Sequence, residues 1–170
     1  QLKYLINSIK TITKDEKYPI LIDQEGGHVS RLNKLIDLSI FSQNYFGKLY
    51  IRNRISFRQH YKIYNDIVCN IMKKVGININ TIPVLDVRRR NTHSTISDRS
   101  FSADPEIVSK IGNFCIDLYK KNKIATVIKH IPGHGLSKQD SHHELPIIRA
   151  SNAELVKKDF KPFKMCNSLF

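Results

Sequence analysis

The sequence lacks the features that mark membrane proteins and disulfide-rich secreted proteins. No run of about 18 apolar residues occurs, so no transmembrane helix is expected. Residues 1–4 contain no small-residue cleavage site of the kind that ends a signal peptide. The first residue is not Met, which favours a fragment or a processed product. Three scattered cysteines (Cys69, Cys115 and Cys166) fit neither a zinc site nor a disulfide framework, which predicts reduced, buried thiols in a cytoplasmic protein.

The composition is that of one globular domain with an excess of positive charge. The 170 residues are 41% hydrophobic and 25% charged, so a sizeable core can form. The net charge of +13 raises the alternative of a nucleic-acid-binding module. The basic residues are spread along the chain, however, and are densest only at 52–54 and 88–90. Neither zinc-finger spacing nor an aromatic RNA-binding strand accompanies them, so we expect no nucleic-acid partner and no membrane partner.

Helix-like and strand-like segments alternate along the chain. Apolar residues at helical spacing predict a helix over 2–12, and an amphipathic stretch predicts another over 56–75 that ends at Gly76. Asp104 and Pro105 predict the start of a third helix, and Ser151 with Glu154 that of a fourth. Short apolar runs predict strands at 19–23, within 77–87 and at 124–129. This order predicts an α/β fold with parallel strands, and by itself it leaves a β/α barrel and a doubly wound sheet both open.

The first candidate motif follows the first predicted strand. Residues 23–31 include two acids, Asp23 and Glu25, two glycines, Gly26 and Gly27, and then Arg31. Glycine permits a tight turn and a close approach of a ligand to the backbone. The spacing is not that of a dinucleotide-binding loop. A plain turn between a strand and a helix is the alternative interpretation.

The second candidate motif spans residues 97–105. Arg99 lies among small polar residues, which suits a cation fixed by hydrogen bonds. The alternative is a surface loop that leads into the helix cap at Asp104.

The third candidate motif spans residues 129–144 and follows the third predicted strand. It contains Lys129, His130, His134, Asp140 and His142. A carboxylate two residues from a histidine can stabilise its imidazolium form, which supports general acid–base catalysis. A metal site at His130 and His134 is the alternative. A Pro-Gly break separates these two histidines, so no helix presents them on one face, and we expect no metal.

Taken together, the motifs resemble those of a known enzyme family. DQEGG (23–27), PVLDV (83–87), DRSF (98–101), KHIPGHG (129–135) and DSH (140–142) occur in the order found in the bacterial β-N-acetylhexosaminidases of glycoside hydrolase family 3. The resemblance implies a cytoplasmic glycosidase that removes N-acetylglucosamine from muropeptides during cell-wall recycling. It implies a retaining mechanism without a cofactor.

The resemblance also implies a role for individual residues. Asp23 corresponds to the carboxylate that binds sugar hydroxyls. The other implied sugar contacts are Arg31, Arg99, Lys129 and His130. His142 corresponds to the acid/base catalyst of the family, and Asp140 is its partner in a His–Asp dyad.

Two departures from the family pattern affect these expectations. His28 stands where the family usually has Arg, and no segment after His142 resembles the Ser-Asp-Asp-like context of the aspartate nucleophile. We therefore expect residues 1–170 to form one partial catalytic domain. Its fold would be an incomplete (β/α)8 barrel without its first strands and its C-terminal half, with little activity. A non-catalytic sugar-binding or vestigial fragment is the alternative, and the complete protein is expected to be a monomer.

Overall fold

The computed structural model describes residues 1–90, 92–139 and 145–166. Strands and helices alternate through most of this range. The three strands are β1 (Leu21–Ile22), β2 (Ile79–Asn80) and β3 (Ala125–Thr126). The helices are α1 (Leu2–Thr13), α2 (Gln43–Arg52), α3 (Arg54–Val75), α4 (Ser94–Ser97), α5 (Pro105–Lys121), α6 (Asn152–Lys157) and α7 (Lys161–Met165).

The strands form one parallel sheet in the order β1-β2-β3. Leu21 pairs with Ile79, which pairs in turn with Ala125. A further parallel bridge joins Val84 to Lys129 beyond the named strands. The prediction of an α/β fold with parallel strands is confirmed. The sheet is small, and the eight-stranded barrel stays a prediction.

Each strand is shorter than the sequence predicts, and at both ends of β1 a side-chain amide of the neighbouring segment is the partner of a backbone amide. Asn80 Nδ2 donates to the carbonyl of Gln24 at 2.9 Å, and its Oδ1 accepts from the Gln24 amide at 3.0 Å. Two residues earlier, Asn78 Oδ1 accepts from Ile20 N at 2.8 Å, and its Nδ2 donates to Tyr18 O at 2.9 Å. The segment after β1 is therefore fastened to β2 by a side chain rather than by a continuous ladder.

The core lies between the sheet and the helices α2, α3 and α5. Buried aromatic rings from α2, α3 and the α4–α5 loop contact one another: Phe46, Phe57, Tyr61, Tyr64 and Phe101. A Cβ built on Gly47 of α2 would lie only 1.7 Å from the carbonyl oxygen of Phe101. Glycine at this position thus lets α2 approach the loop that carries Arg99.

The helix ends follow the caps that the sequence indicates. Asp104 accepts from Glu106 N at 2.8 Å and Pro105 occupies the first turn of α5. Ser151 Oγ accepts from Glu154 N at 3.2 Å at the start of α6. Gly76 ends α3 with φ of 93°, a left-handed conformation that glycine adopts without strain.

The cysteines are reduced and buried, as the sequence predicts. Burial raises the pKa of the Cys69, Cys115 and Cys166 thiols to about 12, so none of them supplies a thiolate nucleophile near neutral pH. None of the helices in the described ranges is long and apolar enough to cross a membrane.

Candidate active site

The loops that follow the three strands meet at one edge of the sheet. Asp23 and Glu25 follow β1, Thr81 and Asp86 follow β2, and Lys129 belongs to the segment after β3. The strands are parallel, so their carboxyl ends lie at the same edge. Ligands of open α/β sheets and barrels bind at this edge. We refer to the connected side chains there, Asp23, Glu25, Thr81, Asp86, Arg99, Lys129 and His130, as the strand-end cluster.

Asp23 is the most exposed acid of the strand-end cluster. Its carboxylate lies 2.6 Å from Lys129 Nζ and also accepts a hydrogen bond from Thr81 Oγ1. Burial acts to raise the pKa of Asp23, but the hydrogen bonds and charge of Lys129 and Thr81 outweigh it and hold the pKa below its usual value. The side chain is still 48% exposed. Asp23 therefore offers an ionised acceptor to a ligand at this edge.

Glu25 is a member that the sequence analysis did not assign to the site. Its side chain has no exposed surface, and both oxygens face Arg99, at 2.8 Å from Nε and 2.8 Å from Nη2. Lys129 Nζ lies 2.6 Å from Oε1 of the same carboxylate. Burial acts to raise the pKa of Glu25, yet the hydrogen bonds and positive charges of Arg99 and Lys129 hold it below its usual value. An ionised Glu25 thus orients both cations.

Arg99 follows the short helix α4 and is held through its backbone as well as its side chain. Its amide donates to Ile96 O at 2.9 Å, and its carbonyl accepts from the side-chain amide of Gln43 on α2. The guanidinium is only 11% exposed. The sequence predicts a cation fixed by hydrogen bonds at position 99, and the contacts with Glu25 fix the Arg99 side chain.

His130 joins the strand-end cluster through both ring nitrogens. Its Nδ1 lies 2.6 Å from Asp86 Oδ2, and its Nε2 lies 3.1 Å from Arg99 Nη2. The other oxygen of Asp86 accepts from the backbone amide of His134 at 2.6 Å. Asp86 lies in the PVLDV motif, and its position as the acidic residue near the end of the predicted strand within 77–87 is the sequence signal for a place in the site.

Arg31 lies beside the strand-end cluster. Its positive charge contributes, behind Lys129 and Thr81, to the lowered pKa of Asp23. Its backbone amide donates to Gln24 Oε1 at 2.9 Å, which fixes the loop that returns from Gly27. His28, at the position where the family usually has Arg, contacts Asp98, with 2.8 Å between Nδ1 and Oδ1. This pair joins the first motif to the second.

The predicted catalytic residues Asp140 and His142 lie outside the described residues. Within residues 1–90, 92–139 and 145–166, no group of three or more His, Cys, Asp or Glu side chains is arranged to hold a metal ion.

The chemistry of the strand-end cluster is that of a site for a polyhydroxylated ligand. A half-exposed carboxylate accepts hydrogen bonds, and adjacent ammonium and guanidinium groups donate them. Neighbouring hydroxyls of a sugar need this combination of acceptors and donors. Fixed partners on the buried side keep the groups oriented before a ligand arrives.

Comparison with known proteins places these observations in a family. Residues 1–166 match the glycosyl hydrolase family 3 N terminal domain. The chain is 30% identical over 171 aligned residues to beta-hexosaminidase A of Pseudoalteromonas piscicida, covering 96% of this chain and 27% of that protein. It is 29% identical to the beta-hexosaminidase of Thioalkalivibrio sulfidiphilus, covering 96% of this chain and 46% of that protein.

The fold of this chain is also similar to that of a solved structure. The crystal structure of NagZ from Neisseria gonorrhoeae in complex with N-trifluoroacetyl-D-glucosamine has a TM-score of 0.85 and 28% sequence identity. The likeness covers 96% of this chain and 48% of that one. The chain thus spans less than half the length of each of these relatives.

Proposed function

Since the chain belongs to glycosyl hydrolase family 3, we propose that it is part of a β-N-acetylhexosaminidase that removes terminal, non-reducing β-linked N-acetylglucosamine. The observation that carries this proposal is the strand-end cluster. It combines the ionised acceptor Asp23 with the donors Lys129 and Arg99 at the ligand-binding edge of a parallel sheet. The similar NagZ was crystallised with a glucosamine derivative.

The proposed reaction is retaining hydrolysis in the complete protein. An aspartate attacks the anomeric carbon, and the glycosidic bond breaks as His142 protonates the leaving oxygen. His142 then removes a proton from the water that hydrolyses the glycosyl-enzyme, and Asp140 stabilises its imidazolium form. Muropeptides in the cytoplasm are the proposed substrate, in keeping with the family resemblance, and no cofactor takes part.

Asp23, Arg31, Arg99, Lys129 and His130 are the proposed sugar-binding residues. Asp23 accepts from hydroxyls of the sugar, since it is ionised and nearly half exposed. Lys129 lies beside this acceptor, with its ammonium 2.6 Å from the Asp23 carboxylate.

The test is Asp23→Ala in the complete protein, with affinity for N-acetylglucosamine measured by calorimetry and stability by thermal melting. Loss of charge-assisted hydrogen bonds predicts an affinity lower by about 10- to 100-fold. The melting temperature should change little, because Lys129 keeps Glu25 as its partner. Turnover of a chromogenic N-acetylglucosaminide should fall together with the affinity.

A matched control is Asp66→Ala on α3. Asp66 forms an ion pair of the same length, 2.6 Å, with Lys62, and its side chain is 36% exposed. This variant should bind the sugar normally. If Asp23→Ala melts several degrees lower and still binds the sugar normally, Asp23 is structural and the proposal is wrong.

A further inference from the structure

Asp86 is a completely buried carboxylate that contacts two residues of the loop after β3. Its Oδ2 faces His130 Nδ1 at 2.6 Å, and its Oδ1 accepts from His134 N at 2.6 Å. Both distances are within hydrogen-bond range for nitrogen and oxygen. Each carboxylate oxygen of Asp86 therefore has a partner that constrains the position of the imidazole.

The second nitrogen of His130 determines where the imidazole proton lies. Nε2 is 3.1 Å from Arg99 Nη2, and a guanidinium nitrogen can only donate. Nε2 must accept, so it carries no proton. An imidazolium would direct two N–H groups at each other across this contact. The remaining proton is on Nδ1, where Asp86 accepts it.

The hydrogens of Arg99 Nη2 match this arrangement. One points to Glu25 Oε1 at 2.8 Å, and the other points to His130 Nε2 at 3.1 Å. With Nε bound to the second oxygen of Glu25, the guanidinium plane is fixed from two sides. A continuous series of hydrogen bonds thus runs from Asp86 through His130 and Arg99 to Glu25.

We propose that Asp86 is a positioning residue that fixes His130 in the neutral Nδ1–H tautomer, so that His130 accepts from Arg99 and holds this cation for the sugar. The proposal deepens the proposed function and rests on it. Its consequence for recognition is specific. A sugar hydroxyl that reaches His130 Nε2 finds no proton there, and it can donate its own only by displacing Arg99 from the single lone pair of this nitrogen.

The tautomer is measured on the unaltered complete protein. Labelling with ¹⁵N-histidine and long-range ¹H–¹⁵N correlation reports each ring nitrogen, and His130→Gln identifies the His130 signals. At pH 7, Nδ1 is expected at the shift of a protonated nitrogen and Nε2 at that of an unprotonated one. An Nε2–H tautomer or an imidazolium in the unaltered protein overturns the proposal, whether or not any variant folds.

Asp86→Asn tests the effect on sugar binding. The amide can present its NH2 group to Nδ1, which favours the other tautomer and directs an Nε2–H at Arg99. The ¹⁵N spectrum should show a mixed or inverted tautomer, and affinity for N-acetylglucosamine should fall about 10- to 100-fold. Asp66→Asn, the same change at the Lys62 pair, should alter neither readout.

The outcomes separate three cases. If Asp86→Asn keeps the Nδ1–H tautomer and loses affinity only in step with its melting temperature, Asp86 is merely structural and the proposal is wrong. If the variant changes tautomer and binds the sugar as the unaltered protein does, the coupling through Arg99 is wrong. If the unaltered protein shows the expected tautomer and binds no N-acetylglucosamine, the proposed function fails and the assignment of the tautomer stands.

Discussion

Glu25 is the residue at which burial and charge compete most directly. A carboxylate with no exposed surface loses its hydration, which would favour the protonated form. Three short contacts to Arg99 and Lys129 oppose this effect and prevail, so the pKa of Glu25 lies below its usual 4.5. A carboxyl whose pKa is lower in the folded state than in the unfolded state stabilises the fold at neutral pH.

The sign of this linkage gives a prediction for acid unfolding. The stabilisation by Glu25 is complete above the unfolded pKa near 4.5 and is lost as the pH falls through the lower folded pKa. Glu25→Gln should destabilise the protein at pH 7 by about 3 kcal/mol, since it removes a buried negative charge that both Arg99 and Lys129 contact. The difference from the unaltered protein should shrink between pH 4.5 and the point at which Glu25 itself is protonated.

Thermal melting from pH 7 down to pH 3 measures this difference. Glu16→Gln removes an exposed carboxylate of the α1–β1 turn and serves as the control. A constant difference between Glu25→Gln and the unaltered protein at every pH would contradict an ionised Glu25.

A residue of the strand-end cluster could be predicted from the sequence if it lies at the edge of the sheet, but not if it is buried behind that edge. Asp23, Arg99, Lys129 and His130 occur in motifs where a polar residue after a strand has an evident use in binding. Glu25 and Asp86 are buried behind them, and their use appears only when their partners, 74 and 44 residues away in sequence, are in place. Local sequence carries no information about such distant pairs.

Among the elements, β2 depends most on a single side chain. Asn80 is completely buried, and besides Gln24 it contacts Tyr119 Oη of α5 at 3.1 Å. Its amide satisfies both the N–H and the carbonyl of Gln24. A buried backbone group without a partner costs about 1–3 kcal/mol.

Asn80→Ala should therefore lower the free energy of unfolding by about 3 kcal/mol or more. The variant leaves two polar groups of Gln24 without partners and creates a cavity beside Tyr119. Urea unfolding followed by circular dichroism measures the loss. Asn78→Ala is the matched control, because Asn78 Oδ1 also accepts from a backbone amide, that of Ile20, and the residue is only half-buried. Equal losses of unfolding free energy for Asn80→Ala and Asn78→Ala would contradict the stabilising role of burial at Asn80.

The ends of the helices were predictable from the sequence because the capping residues that set them act locally. The caps at Asp104, Ser151 and Gly76 act within a few residues, and the structure has all three. Helix α2 was missed because Gly47 interrupts its pattern, and that glycine serves a contact with Phe101 made 54 residues later. The strands were predicted too long because the apolar runs extend beyond the paired residues. At Ile20 and Gln24 the backbone amide donates to the side chain of Asn78 or Asn80 instead of to a backbone carbonyl.

At the scale of the whole molecule, the proposed sugar-binding residues and the proposed nucleophile belong to different parts of the complete protein. The strand-end cluster is assembled entirely within the described residues. The resemblance places the aspartate nucleophile in a Ser-Asp-Asp-like segment, and no such segment occurs in residues 1–170. Covalent catalysis has no first step without its nucleophile.

Residues 1–170 produced alone should therefore bind N-acetylglucosamine without hydrolysing its glycosides. The complete protein is the positive control in a chromogenic assay, and calorimetry checks binding by residues 1–170. Turnover near that of the complete protein would contradict the proposed covalent route.

The contact between Asn80 and Tyr119 also affects how readily the backbone amide of Gln24 becomes exposed to solvent. Asn80 ties Gln24, between Asp23 and Glu25, to the long helix α5 in the core. Release of the Gln24 amide to solvent thus requires α5 to separate from the sheet, which is close to unfolding the whole domain. Hydrogen exchange at Gln24 then reports global rather than local opening. Whenever the domain is folded, the backbone between Asp23 and Glu25 is then expected to be protected from exchange.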